Sequence, residues 1–214
     1  MEKRTSPAER IKDRQSIKAV IFDFDGVFVN RFTQGSVRDF CRTFGVGERA
    51  FRKSLSAAVK KLDTGREGEE DYFAQAVRMF GLPVSPRVLE RFFAERDGVH
   101  LKEHAAMFRL LKKLDGRFKT VLLSNASRDL SRRLRARGFY KKFDKVFLSY
   151  RMGVAKPSLR AYRYALRSLR LAPESVVFID DSRKNIEAAR KMGMRTILHR
   201  NTATTIAALR KLLA

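Results

Sequence analysis

Two carboxylates stand one residue apart in Ala19-Val20-Ile21-Phe22-Asp23-Phe24-Asp25-Gly26-Val27, at the end of an unbroken apolar run. Charge at the edge of a buried segment is costly unless it is paired or used. Similar polar groups close other apolar runs: Ser124-Asn125 after "KTVLL", and Asp180-Asp181-Ser182 after "VVFI". Lys156 stands in the connection "RMGVAKPS". Three or four carboxylates gathered in one place repel each other and call for a cation. Oxygen donors with no neighbouring His or Cys select a hard ion, Mg2+ before Zn2+. Lys156 adds a fixed positive charge and Ser124 a hydroxyl, so the set suits an anionic substrate, with phosphate the best fit. Asp23 and Asp25, two positions apart, share one face of an ideal strand. Gly26 then lets the chain turn away, so that both acids reach one small volume by different routes.

These residues can meet only if particular elements carry them. "SIKAVIFDF" reads as a strand from its apolar, β-branched composition. After residue 100, helix and strand alternate. Strands are expected in "FKTVLLSN", "FDKVFLSY", "SVVFIDD" and "MRTILH", each preceded by an amphipathic helix, with a last helix in "TATTIAALRKLL". Near-continuous apolar strands in such alternation predict a parallel sheet covered on both faces. Ligands of an open parallel sheet sit beyond the carboxyl ends of its strands, which is where Asp23, Asp25, Ser124, Asn125, Asp180 and Asp181 fall. Residues 36 to about 98 hold no convincing strand and read as four helices: "SVRDFCRTFG", "GERAFRKSLSAAVKKLD", "GEEDYFAQAVRMFG" and "SPRVLERFFAER". Glycines and prolines, Gly65, Gly68, Gly81, Pro83, Pro86 and Gly98 among them, punctuate the segment. Phe40, Phe44, Phe51, Phe73, Phe80, Phe92 and Phe93 recur at helical spacing and predict a core of its own.

Four stretches together resemble the motifs of the haloacid dehalogenase superfamily, in order: "DFDGV", "LLSNAS", "GVAKPS" and "VVFIDDSRKNIEAARKMGM". The resemblance runs over about residues 17–200, and the helical segment between the first two motifs is similar to that superfamily's α-helical cap. The implied fold class is α/β: a Rossmann-like three-layer sandwich with a central parallel sheet, plus a small all-α cap of four helices. The implied division is a charged tail at 1–16, a core at 17–30 and 100–214, and a cap at 31–99. The implied activity is Mg2+-dependent hydrolysis of small phosphomonoesters through an aspartyl-phosphate. Asp23 would be the nucleophile and Asp25 the general acid and base. Ser124, Asn125 and Lys156 would bind the phosphoryl group. Asp23, the Asp25 backbone carbonyl and Asp180 would hold Mg2+, with Asp181 and Asn185 supporting. A second acid at Asp25 favours a phosphatase over a dehalogenase. A phosphoglucomutase-like transferase is the nearby alternative. Val27 departs from the threonine common after this first motif, and a hydroxyl contact is lost there.

Each of these residues also has a plainer reading. The two aspartates of the first motif could form an exposed turn, Ser124 or Ser127 could cap the following helix, and Lys156 could be a solvated lysine. His100, His104 and His199 read as structural, and Arg31 and Phe32 as hinge or entrance residues.

Charge is uneven. The formal net charge is +24, yet residues 1–100 carry 19 Lys and Arg against 15 Asp and Glu, and the remainder 28 against 8. "SRDLSRRLRARGFYKKFDK" is the densest stretch. It reads either as a solvated helix face or as a non-specific, salt-sensitive contact for RNA or DNA. Aromatics do not interleave with the cations as a stacking platform requires, which favours the first. A lone cysteine, Cys41, and a charged beginning without an apolar leader lead us to expect a reduced, cytoplasmic protein with no membrane span.

Overall fold

The computed structural model describes residues 16–30, 34–100 and 102–213. Five strands form one parallel sheet: β1 (Ala19–Phe22), β4 (Lys119–Ser124), β5 (Lys145–Leu148), β6 (Val176–Asp180) and β7 (Arg195–Leu198), in the order β5-β4-β1-β6-β7. β1 is central, between β4 and β6. Phe22 is level with Leu122 on one side and with Ile179 on the other, so the carboxyl ends of all three strands lie within two residues of one another at one edge of the sheet.

Alternate residues of each strand feed opposite faces, as the pleat dictates. Val20, Phe22, Leu122 and Ile179 join Met107, Leu111, Leu130, Leu134 and Leu209 in one core. Those partners come from α5 (Ala105–Leu114), α6 (Arg128–Ala136) and α10 (Thr202–Leu213). Ala19, Ile21, Val121, Leu123 and Phe178 join Tyr162, Ala165, Leu166, Ile186 and Ala189 in the other. These come from α8 (Leu159–Leu169) and α9 (Arg183–Lys191). A strand buried on both faces needs no polar alternation, which is why β1 reads as a plain apolar run.

The segment between β1 and β4 holds four helices: α1 (Gln34–Phe44), α2 (Glu48–Asp63), α3 (Glu69–Phe80) and α4 (Pro86–His100). They pack on a separate cluster of Phe40, Phe51, Phe73, Ala76, Leu82, Leu89 and Phe93, with Phe44, Phe80 and Phe92 partly buried against it. Ring centroids of Phe40 and Phe51 are 4.4 Å apart, and those of Phe40 and Phe93 5.4 Å. The phenylalanine spacing thus does serve packing. Cys41 is half-buried at the edge of the same cluster.

Two local expectations are corrected, and one feature was not anticipated. Gly98 does not break a helix but lies inside α4, which runs on to His100. A single interior glycine weakens a helix by only about 1 kcal/mol, which packing can override. Ser149 and Tyr150, expected to extend β5, begin a four-residue helix, α7 (Ser149–Met152). Finally, a short antiparallel ribbon, β2 (Val29–Asn30) with β3 (Lys102–Glu103), ties the two crossings into and out of the insertion. Two-residue strands carry no periodicity to detect. Arg31 and Phe32 lie outside the described residues. No helix among the described residues is long and apolar enough to cross a membrane.

Candidate active site

The backbone N–H of Asp23 donates to the carbonyl of Ile179 at 2.8 Å, so pairing with β6 continues one residue past β1. The sheet thereby delivers the Asp23 carboxylate to the edge where Asp180 ends β6. Its Oδ1 accepts from the backbone N–H of Phe24 at 2.7 Å and from Lys156 Nζ at 2.8 Å. The same ammonium reaches Asp180 Oδ2 at 2.7 Å. Lys156 therefore bridges two acids from adjacent strands, with its side chain 1% exposed. The surface-lysine reading is excluded by that burial.

Asp180 is fully buried and held on every side. Its Oδ1 accepts from the Ser182 N–H at 2.8 Å, and Asn185 Nδ2 donates to both of its oxygens at 3.0 Å. Asn185 is fixed in turn by the Tyr162 hydroxyl, which donates to its carbonyl at 3.0 Å. Nothing in the sequence pattern singles out Tyr162, a core aromatic by its spacing.

Burial pushes the Asp23 carboxyl up to about 7. Lys156 opposes the rise and the neighbouring Asp180 adds to it. Burial pushes the Lys156 ammonium down, yet the two carboxylates hold its pKa above the ordinary lysine value. Asp181 is also raised, first by burial and then by Asp180 and Asp25. Asp25 thus lies near enough for its charge to be felt at Asp181. Gly26 makes that approach possible. Its φ is +82°, and a Cβ at that position would collide with the Asp181 carboxylate.

Carboxylate oxygens of Asp23, Asp180 and Asp181 lie within 4.8 Å of one another. Three carboxylates facing one ammonium leave excess negative charge, and the donors are all oxygen. Such a set fits a hard divalent cation such as Mg2+. The Asp25 side chain is not one of the three, and Asp181, read from the sequence as supporting, is.

Ser124 ends β4, 5% exposed. Asn125 does something its type alone did not announce. Its Nδ2 donates to the Lys156 carbonyl at 2.9 Å and its Oδ1 accepts from the Lys156 N–H at 2.9 Å. Ser127 caps α6 by accepting from the Leu130 N–H at 3.1 Å. Ser149, which sequence reading passed over, accepts from the Ala126 N–H at 3.0 Å. His104 and His199 have structural bonds, to the Val27 carbonyl and to the Thr205 hydroxyl, both at 2.9 Å. In the basic helix α6, Arg132 pairs with Asp129 and Arg133 with Glu69, so part of that charge has local partners.

A family model of haloacid dehalogenase-like hydrolases matches residues 17–193, and the chain belongs to that family. Among curated relatives, sesquiterpene phosphatase astK of Aspergillus oryzae is 26% identical over 92% of this chain and 97% of its own length. D-ribitol-5-phosphate phosphatase of Bacteroides thetaiotaomicron is 24% identical over 87% of this chain and 94% of its own. Other relatives are much longer: the match to drimenol cyclase drtB of Aspergillus calidoustus, 34% identical over 49% of this chain, spans only 24% of that protein. Among solved structures, a Bacteroides thetaiotaomicron enzyme of this family, in complex with magnesium and inorganic phosphate, superposes with a TM-score of 0.70. It is 23% identical, over 85% of this chain and 93% of that one. The shared architecture is the five-stranded α/β sheet with its helical insertion.

Proposed function

We propose that the chain is a Mg2+-dependent phosphomonoester hydrolase acting on a small phosphorylated metabolite through an aspartyl-phosphate on Asp23. The observation that carries this reading is the single buried ammonium of Lys156 set between Asp23 and Asp180, with Asp181 alongside. The curated relatives that match along most of their length are named for phosphatase activity, on a sesquiterpene and on D-ribitol 5-phosphate. Sugar or polyol phosphates, phosphoglycolate-like acids and nucleotides are the candidate substrates. The residues divide into a core (17–30 and 100–214) that does the chemistry and a helical cap (31–99) that covers it.

The ionised Asp23 attacks phosphorus, forming a bond from its Oδ to phosphorus as the ester P–O bond breaks. Asp25 gives its proton to the departing alkoxide. Water then attacks the phosphorus of the acyl phosphate, Asp25 takes the water's proton, and Asp23 and inorganic phosphate are released. Ser124 and the backbone at Asn125 hold phosphoryl oxygens while Lys156 stabilises the charge that builds on them. Asp23, Asp180 and Asp181, with the Asp25 carbonyl, would hold Mg2+, which when bound supplies charge that offsets repulsion between carboxylate and phosphate. Burial raises the pKa of the Asp23 carboxyl, and a bound cation would favour its ionised, nucleophilic form.

The test is hydrolysis of an aryl phosphate with and without Mg2+, in wild type and in Asp23→Asn, with inorganic phosphate measured as product. Phosphate release that needs both Mg2+ and Asp23 is expected. Full turnover in the variant would sink the proposal, and isomerisation of a sugar phosphate without net phosphate release would favour the mutase instead.

A further inference from the structure

The insertion touches the loop after β4 through one buried carboxylate. Glu69 is the first residue of α3, follows the N-cap Gly68, and is 7% exposed. Its Oε1 accepts from the Ser127 hydroxyl at 2.7 Å and from Arg133 Nη2 at 3.2 Å, and its Oε2 accepts from Arg133 Nη1 at 3.0 Å. The Arg133 contact is thus a two-pronged, charge-assisted pair, the stronger and more directional kind. Position at a helix N-terminus further favours the carboxylate.

Ser127 is where this contact becomes relevant to chemistry. Its hydroxyl donates to Glu69 while accepting from the Leu130 N–H, so one 3%-exposed side chain joins α3 of the insertion to the start of α6. It is also the last residue of the loop Ser124–Ser127. That loop is fixed on one flank by the Asn125 bonds to Lys156 and on another by the Ala126 N–H on Ser149. The remaining anchor comes from the insertion. A second contact lies beside it: a Cβ on Gly65, in the connection from α2 to α3, would sit 3.0 Å from the carbonyl oxygen of Tyr150 in α7. The insertion therefore docks over the ends of β4 and β5 with a close backbone approach and an ionic anchor side by side.

We propose that Glu69 is a positioning residue: its bonds to Ser127 and Arg133 latch the insertion onto the core, and the same latch sets the loop that grips the phosphoryl group. When α3 docks, Ser127 gains its second partner and the loop is held on all sides. When α3 lifts away, the loop loses one anchor and the site opens to water. Arg133 orients the Glu69 carboxylate through its two-pronged contact. This proposal rests on the reading of Ser124 and Asn125 as the phosphate-gripping loop.

The test combines amide hydrogen exchange with calorimetric binding of inorganic phosphate in the presence of Mg2+. Neither measurement needs turnover. In Glu69→Ala, exchange is expected to speed up in both residues 64–80 and 124–136, and phosphate is expected to bind about tenfold or more weakly, on the scale that small misplacements cost in such sites. Arg133→Ala, at a side chain 42% exposed, leaves the Ser127 bond and should give a smaller change in the same two segments. Glu69→Gln, which keeps acceptor and donor but loses charge, should fall between wild type and Glu69→Ala. Unchanged exchange in 124–136 when Glu69 is removed overturns the latch. Faster exchange with undiminished phosphate binding overturns the positioning role. A wild type that binds phosphate yet hydrolyses nothing would overturn the proposed activity while leaving the latch intact.

Discussion

The side chain of Asn125 grips the backbone of Lys156 from both sides, donating to its carbonyl and accepting from its N–H, each at 2.9 Å. The residue after one strand therefore sets where the central cation of another connection stands, with the Lys156–Pro157 peptide cis just beyond. Asn125→Ala leaves both Lys156 backbone groups without these partners. Each unsatisfied group costs about 1–3 kcal/mol when buried, so denaturant unfolding should show a loss of that order. Displacement of Lys156 should lower kcat/KM about 100-fold. Asn125→Asp, which keeps the acceptor and loses the donor, should lose less stability than Asn125→Ala.

Gly26 predicts a separable pair of defects. Gly26→Ala puts a methyl into the Asp181 carboxylate and asks alanine to hold φ near +82°. Left-handed backbone strain of this kind costs about 1–3 kcal/mol. Thermal unfolding should reveal that loss, and a calorimetric Mg2+ titration should show weaker binding because Asp181 is pushed aside. In Gly26→Ala combined with Asp181→Ala, stability should partly return while Mg2+ binding does not.

Lys156→Met removes the ammonium that bridges two buried acids. Breaking a buried ion pair by deleting one partner costs about 3–5 kcal/mol. Chemical denaturation of the metal-free variant should show a loss of that size. Added Mg2+ should restore part of it by supplying another positive charge to the same carboxylates. No response to Mg2+ would argue against a cation among Asp23, Asp180 and Asp181.

The raised pKa of Asp23 has a defined sign. In the metal-free protein its carboxyl titrates at about 7, against 3.8 for an ordinary aspartate. Between those values the folded state binds more protons than the unfolded one, so this group's contribution to stability falls as pH rises through that window. Asp23→Asn should remove that slope from the difference between the two stability profiles. Mg2+ should lower the Asp23 midpoint, as carboxyl carbon NMR of labelled protein would show.

Much of this arrangement is legible in the sequence. The runs ending in Asp23, Ser124 and Asp180 are legible because a strand buried on both faces tolerates only apolar residues until it reaches an edge. Polar residues at such ends mark a candidate site. The cap phenylalanines were legible for the same reason, through periodicity. What stayed hidden depends on partners distant in the chain. Glu69 looks like one of several acids at a helix start, and only folding brings Ser127 and Arg133 to it. The two bonds from Asn125 to Lys156 join residues 31 positions apart. Gly98 sits inside α4 because one glycine costs a helix only about 1 kcal/mol and need not end it, and Ser149 starts a helix after a strand whose composition said nothing about where to stop.

The most direct measurement is chemical trapping of the covalent intermediate. The enzyme would be quenched during turnover of a small phosphomonoester with Mg2+ and treated with borohydride, which reduces an acyl phosphate to an alcohol and leaves free carboxylates alone. Peptide mass spectrometry then locates the reduced side chain. Reduction confined to Asp23, and dependent on substrate, is the predicted result. Sustained phosphate release with Asp23 never modified, or with reduction at another residue, would contradict it.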